Sequence, residues 1–208
     1  MHKSDVYFTN DDFVEAYTEL QLKKYPKAKF SVYFLYRWLE IKYYGVFEPH
    51  HIMQSVNDVE NSTNSSHTKR HRAFTSGPLK GVYKKHFTSP RHIRKNIGVE
   101  TGLDSKDEIK IDKRIRAVIR DYPEQSRFDA VAHKFSVEAY DQRMKSNSLT
   151  GDYVIFAQLA HTNYYLSIEP HDMSSDSVFQ RISEVCLYEF PELRTHKAFK
   201  NVPVQENA

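Results

Sequence analysis

Two short apolar segments in the second half of the chain constrain the fold more than any other feature. Residues 153–157 and 164–168 consist mostly of aromatic and aliphatic side chains, several of them β-branched, and this composition favours β-strands. The connector between them, Ala160-His161-Thr162-Asn163, is short, so the two segments are predicted to form a β-hairpin. Helices are predicted before and after this hairpin, and that order predicts an α+β fold.

Two amphipathic helices are predicted at the start of the chain. Asn10 can cap the first helix, which Pro26 interrupts, and the second covers about residues 28–44 and ends at Gly45. Their apolar positions recur three and four residues apart, the spacing of one helix face. These positions are Phe13, Ala16, Tyr17, Leu20, Phe30, Phe34, Trp38 and Ile41.

Three further helices are predicted later in the chain. One carries Ile111, Ile115, Val118 and Ile119 and ends at Pro123, a longer one begins at Ser126, and the last is capped by Ser174 or Ser175 and closes at Pro191. The residues expected to face the core in the last two are Phe128, Val131, Ala132, Phe135, Ala139, Val178, Ile182, Val185 and Cys186.

The predicted organisation has four parts. A helical region covers residues 1–54, a flexible polar and basic linker 55–77, an α+β region 78–195, and a tail 196–208. Within the linker, residues 57–66 are small, polar and without periodicity, so we expect them to be mobile. In this arrangement a helical hairpin leads into a basic, helix-containing segment and then into a small antiparallel sheet flanked by helices.

Composition excludes several classes of protein. The longest apolar run among the 208 residues is far too short for a transmembrane helix, and the first residues contain no apolar signal sequence. The single cysteine, Cys186, cannot form an internal disulfide. We therefore expect a cytoplasmic protein with no membrane partner.

Positive charge is concentrated in one segment. Residues 66–99 contain nine Lys and Arg side chains and no Asp or Glu, although the whole chain carries a formal charge of only +3. Such a segment favours contact with RNA or DNA, and the aromatic residues within it could stack on unpaired bases. The residues expected to bind nucleic acid are Arg70, Arg72, Lys80, Lys84, Lys85, Thr88, Ser89, Arg94 and Lys95.

A short helix is predicted inside this basic segment. Ser89 is a suitable N-cap, Pro90 suits the first helical position, and Gly98 suits the position after the end. Arg91 and His92 then lie at the positive end of the helix dipole, where cations are unfavourable. A bound phosphate would relieve this conflict.

Histidines suggest a chemistry for the segment. RNA can be cleaved without a metal when one group deprotonates the 2′-OH and a second protonates the leaving oxygen, and imidazole suits both steps. His86 and His92 are the expected proton-transfer residues, with Arg91 stabilising the transition state. The sequence contains no metal-binding or cofactor-binding motif, so neither a metal nor a cofactor is expected.

Three segments carry a resemblance to known proteins. Residues 81–87, 151–157 and 163–171 resemble phage- and mobile-element-associated proteins and are similar in layout to the barnase/EndoU/RelE-like toxin nucleases. This resemblance implies an RNA-cleaving toxin or defence-type effector in which His86 is the general base. It also implies that Arg91 and Thr88 contact phosphate and that Tyr164 or His171 is the partner from the sheet.

Other functions remain open on the sequence. Arg127 and His133 are similar to the Arg-x4–6-His pattern of HEPN-domain ribonucleases, which are all-helical. The basic segment could belong to a nucleic-acid-binding protein without catalytic activity. It could also bind an acidic protein such as an antitoxin or an inhibitor.

Overall fold

The protein has an α+β fold built around a five-stranded mixed sheet. The computed structural model describes residues 7–44, 49–103, 108–122 and 124–203. Along the sheet the strands are ordered β1-β5-β4-β3-β2; β1 is parallel to β5, and the other pairs are antiparallel. The strands are β1 Lys29–Phe30, β2 Arg72–Ala73, β3 Tyr83–Phe87, β4 Asp152–Leu159 and β5 Thr162–Glu169. The predicted hairpin is therefore confirmed as β4 and β5.

Helices precede, interrupt and follow the strands. They are α1 Asn10–Tyr17, α2 Val32–Tyr44, α3 His50–Glu60, α4 Ile93–Thr101, α5 Glu108–Asp121, α6 Arg127–His133, α7 Ala139–Lys145 and α8 Ser175–Glu189. Two π-helical segments, Thr18–Lys24 and Lys134–Glu138, extend α1 and join α6 to α7. Short 3-10 turns cover Pro90–His92, Glu124–Ser126 and Pro191–Thr195. Among the described residues, no helix combines the length and the apolar character that crossing a bilayer requires.

Strand β4 is apolar from Tyr153 to Ala157 because both faces of the sheet are covered. Val154 and Phe156 pack with α2 and α3 in one apolar cluster. Tyr153 and Ile155 pack with α8 in a second. A strand buried on both sides reads as a continuous apolar run rather than as an alternating one. The sheet therefore has a fixed position between two layers of helix.

The start of the chain differs from the prediction in two details. Thr9 rather than Asn10 caps α1, because its side chain accepts from the backbone N–H of Asp12 in a capping box. Helix α2 begins only at Val32, because the preceding residues form β1, where the Phe30 ring stacks on Tyr165 at 4.9 Å. Gly45 and Pro123, the predicted ends of two helices, lie outside the described residues.

One buried carboxylate, that of Asp58, binds several residues of the predicted polar linker. Residues 57–60 complete α3, and Asp58 accepts hydrogen bonds from Thr63, Ser65 and Ser66. Burial alone would raise the pKa of Asp58, but these hydrogen bonds outweigh it and lower the pKa well below its usual value. The expectation of a nonperiodic loop is thus wrong for residues 57–60, while the mobility of residues 61–66 stays a prediction.

The region between α5 and α7 packs less tightly than expected. Phe128, which was expected to face the core, is 89% exposed on α6, whereas Ala139 at the start of α7 is buried. In α8, Val178, Ile182 and Cys186 are buried as predicted, but Val185 is exposed. Between residues 126 and 139, the apolar residues of the sequence therefore do not all face the core.

Candidate active site

Four of the five predicted catalytic residues meet at one end of the sheet. His86 lies near the end of β3 and is paired with Tyr153 at the start of β4. Arg91 and His92 occupy the 3-10 turn that follows β3. His171 follows the end of β5. Because β3, β4 and β5 are antiparallel neighbours, the end of β3, the start of β4 and the end of β5 lie side by side.

Asp152, the first residue of β4, connects these elements. Its carboxylate accepts hydrogen bonds from Ser89 Oγ at 3.1 Å, from His92 Nε2 at 2.9 Å and from the backbone N–H of His171 at 3.0 Å. The Arg91 guanidinium forms an ion pair with the same carboxylate. Since a carboxylate only accepts, Nε2 of His92 must carry a hydrogen.

The side chain of Asp152 is charged although it is only 6% exposed. Burial by itself would raise the pKa of this carboxyl group. The hydrogen bonds from Arg91 and His92, together with the positive charge of Arg91, outweigh burial and lower the pKa. The site therefore holds a fixed negative charge among donors that would otherwise suit a phosphate.

The anion predicted at the start of the basic helix is thus the carboxylate of Asp152. Ser89 makes no capping hydrogen bond and binds Asp152 instead. The helix does not end at Gly98, which lies buried inside α4; it ends at Gly102, whose φ of 81° is left-handed. Ser89 and Arg91, two of the side chains expected to bind a phosphate at this terminus, therefore contact Asp152.

His171 is the most accessible of the three clustered histidines. It is half-buried, with its ring stacked on Tyr153 at 5.0 Å and 5.9 Å from the ring of His92. Burial, followed by the positive charge of Lys95, lowers the pKa of His171. A neutral imidazole of this kind can accept a proton at neutral pH.

His86 lies deeper than the sequence predicts. It is 2% exposed, its Nδ1 is 3.0 Å from the carbonyl oxygen of Gly151, and its Nε2 has no hydrogen-bond partner among the described residues. Burial lowers its pKa to about 4. A Cβ at position 151 would lie 1.7 Å from the carbonyl oxygen of Phe87, so glycine permits this close packing. This depth argues against His86 as the base that touches a substrate.

Four cations lie near the histidines or Tyr153, and we call them the basic cluster: Lys69, Arg72, Lys84 and Lys95. None of them forms an ion pair with a described residue. The pKa of Lys69 is lowered by burial and then by nearby cations that include Arg72 and Lys95, and the pKa of Lys84 by burial and then by Arg72 and Lys69. These side chains therefore share one region of uncompensated positive charge.

Three of the residues predicted to bind nucleic acid are engaged inside the protein. Lys85 is 1% exposed and pairs with Asp58 at 3.3 Å. Ser89 is buried against Asp152, and Thr88 is half-buried, with its hydroxyl 3.3 Å from His51 Nδ1. The predicted residues that remain exposed or half-exposed are Arg70, Arg72, Lys80, Lys84, Arg94 and Lys95.

Tyr164, the fifth predicted catalytic residue, lies elsewhere. It is near the start of β5, where its hydroxyl donates to Glu192 at 3.0 Å and Lys29 lies over its ring. Seven residues of extended chain separate it from His171, roughly 20 Å. The tyrosine beside the histidines is Tyr153, which is not among the predicted catalytic residues.

The HEPN-like pair does not contribute to this cluster. Arg127 Nε donates to the carbonyl of Tyr122, and His133 Nδ1 lies 3.3 Å from Glu138 on the same helical segment. A sheet also forms the centre of this fold, whereas HEPN ribonucleases are all-helical.

Comparisons with known protein families, with curated proteins and with solved structures found no match for this chain. Within the described ranges, no group of three or more His, Cys, Asp or Glu side chains is arranged to hold a metal ion. The features that bear on function are therefore the geometry of the histidine cluster and its charges.

Proposed function

We propose that the protein cleaves RNA by proton transfer through His171 and His92, without a metal ion. The observation that carries this proposal is the 5.9 Å separation of the two imidazole rings beside the basic cluster. Two proton-transfer groups at this separation can each reach one side of a phosphodiester, since each needs only a hydrogen bond of about 3 Å.

In the proposed reaction, His171 is the general base. It takes the proton of the 2′-OH, and the 2′-oxygen then forms a bond to phosphorus as the bond to the 5′-oxygen breaks. His92 gives a proton to the leaving 5′-oxygen, which leaves a 2′,3′-cyclic phosphate and a 5′-hydroxyl. The lowered pKa of His171, caused mainly by burial, supports its role as the base.

Asp152 and Arg91 have supporting roles in this proposal. Asp152 fixes the ring of His92 through Nε2 and the backbone of His171, as the carboxylate of a triad orients its histidine. The Arg91 side chain is 47% exposed, so part of its guanidinium group remains accessible for a negatively charged transition state. The donated proton would come from Nδ1 of His92, since Nε2 is bound to Asp152.

The biological class that fits such an activity is a toxin or a defence-type effector acting on cytoplasmic RNA. The resemblance of residues 81–87, 151–157 and 163–171 to toxin nucleases supports this class. The uncompensated positive charge of the basic cluster also supports an acidic antitoxin or inhibitor as a protein partner.

The test is cleavage of RNA by purified protein in the presence of EDTA. We expect His171→Ala and His92→Ala each to lower the rate by about 10²–10⁴-fold, the typical contribution of a general acid or base. The wild-type products should carry 2′,3′-cyclic phosphate. His133→Ala, which changes an exposed histidine on α6, is the matched control and should keep full activity. Loss of activity in this control alone would instead support the HEPN-like pair.

A second candidate function is nucleic-acid binding without cleavage. It is favoured by the closed hydrogen bonding of Asp152, which already engages Ser89, Arg91 and His92. Under this alternative the protein binds RNA or DNA, no cleavage occurs with any substrate, and the two histidine variants change only the affinity.

A further inference from the structure

We infer that Lys69, Arg72 and Lys84 form a subsite for a second phosphate, one nucleotide away from the phosphate that is cleaved, and that its ligand is a single-stranded nucleic acid. This inference rests on the proposed function for the position of the scissile phosphate. The binding subsite itself can be tested without any cleavage.

Lys84 lies on the same face of β3 as His86, close to the clustered histidines. Lys84 precedes His86 by two residues on β3, so both side chains are on the same face of the sheet, about 7 Å apart along the strand. This spacing is on the scale of one nucleotide. His171 lies beside His86, with its ring 5.7 Å away.

The ammonium group of Lys84 is held in place by two aromatic rings. Its Nζ lies 4.4 Å from the centre of the Phe74 ring and 4.6 Å from that of Tyr153. Cation–π contacts of this kind fix the side chain without neutralising its charge. Because Tyr153 also stacks on His171, one ring positions both Lys84 and the proposed base.

The partner of Lys84 across the sheet is another cation. Arg72 on β2 is directly paired with Lys84 on β3, and like charges in this arrangement destabilise a sheet. Lys69 lies close enough for its charge to lower the pKa of Lys84. None of the three forms an ion pair with a described residue, so a bound phosphate would remove a repulsion that the folded protein carries.

Single strands fit this site better than duplexes. His92 and His86 are buried and His171 is half-buried, so the scissile phosphate must enter a recess. A single strand can turn its backbone and splay its bases to do so, whereas a duplex holds its backbone in a fixed geometry.

The test is the salt dependence of binding to a fluorescein-labelled oligothymidylate, which has no 2′-OH and cannot be cleaved by this reaction. The variants are Lys69→Gln, Arg72→Gln and Lys84→Gln, singly and combined. We expect the slope of log affinity against log salt to fall by about 0.7 for each removed cation. Lys200→Gln, an exposed lysine near the end of the chain, is the matched control and should keep the wild-type slope.

Conservative variants and measurements of RNA cleavage show whether weaker binding comes from the lost charge or from a change in the protein structure. Arg72→Lys and Lys84→Arg should restore the slope, because they retain the charge. On RNA, at a pH above the acidic limb of the profile, the triple glutamine variant should raise KM about tenfold or more, with kcat within about twofold, since this phosphate is bound equally in the ground and transition states.

Different results overturn the two proposals. An unchanged salt slope in the triple variant would overturn the subsite, even if the enzyme cleaves RNA. Duplex DNA that competes as well as the single strand would overturn the choice of ligand. Wild-type protein that binds with the expected slope but never cleaves RNA would leave the subsite standing and overturn the proposed function.

Discussion

The carboxylate of Asp152 lies 2.9 Å from Nε2 of His92, although sixty residues separate the two in the chain. This contact ties the start of β4 to the turn after β3, and it provides the negative charge that the basic segment of the sequence lacks. The side chains of His92 and Arg91, which lie in that turn, are consequently oriented by a residue of β4.

Replacing Asp152 should affect both stability and activity. Asp152→Asn keeps the shape of the side chain but removes the charge that holds Arg91, Ser89 and His92. We expect a loss of about 1–3 kcal/mol in the free energy of unfolding, measured with urea, because buried donors lose a charged partner.

RNA cleavage by Asp152→Asn should fall by at least about 10²-fold, since the orientation of His92 would no longer be fixed. Asp112→Asn is the control; its ion pair with Arg116 is exposed and such pairs contribute less than about 1 kcal/mol. Equal stability of the two variants would contradict the central role of Asp152.

Stability should fall on mild acidification because of His86. Burial lowers its pKa to about 4 from a usual value of 6.5. The folded state thus binds fewer protons than the unfolded state between these values, so the stabilisation present above about pH 6.5 is lost as the pH falls toward 4.

The pH effect can be measured from urea midpoints between about pH 7 and pH 4.5. We expect a loss approaching roughly 3 kcal/mol from His86, and a flatter profile for His86→Phe. His133→Phe, at an exposed position, should retain the wild-type profile. A profile that His86→Phe does not flatten would show that other groups carry the acid sensitivity.

The pH dependence of cleavage should change when the charge of Lys95 is removed. The pKa of His171 is lowered by burial and then by the positive charge of Lys95. Lys95→Gln should therefore raise the pKa of His171 and shift the acidic limb of kcat/KM to higher pH. Arg94→Gln removes a neighbouring charge on α4 and is expected to weaken RNA binding without shifting this limb.

Lys85 should be important for stability rather than for direct contact with RNA. Its ammonium group is buried beside Asp58 and also donates to Asn64. Removing one partner of a buried pair costs about 3–5 kcal/mol, so Lys85→Met should lower the urea midpoint sharply. Lys80→Met, at an exposed position, should have almost no effect on stability.

A double variant sharpens this prediction. Asp58→Asn combined with Lys85→Met should cost less than the sum of the single variants, because each single variant leaves an unpaired buried charge whereas the double variant leaves none. A fully additive result would mean that the two side chains do not interact.

The sequence predicts the elements that carry a regular apolar pattern within their own residues. The hairpin of β4 and β5 and the core face of α8 follow from apolar side chains at regular spacing. The two-residue strands β1 and β2 exist only through their neighbours in the sheet, so no local pattern indicates them. Helix α3 was not predicted, although Ile52, Met53, Val56 and Val59 are buried at helical spacing, because the polar residues from position 57 onward suggest a loop.

The site was predictable in part for a similar reason. His86, Arg91 and His92 are close in sequence, so their types and positions predict one cluster, and the resemblance to toxin nucleases adds Tyr164 or His171 as a partner from the sheet. Asp152 is the exception: its partner Arg91 is 61 residues away, and only the register of β3 against β4 brings them together. Its one signal in the sequence is an acidic residue directly before an apolar strand.

The cross-strand pair of Arg72 and Lys84 also affects how copies of this protein meet one another. Strand β2 is the last in the sheet, and an open edge normally offers unpaired backbone groups to a strand from another molecule. Here that edge is two residues long and carries Arg72, with Lys84 behind it on β3. A second copy approaching along the same edge would meet its own positive charges, so the repulsion within each molecule also opposes edge-to-edge aggregation at high concentration.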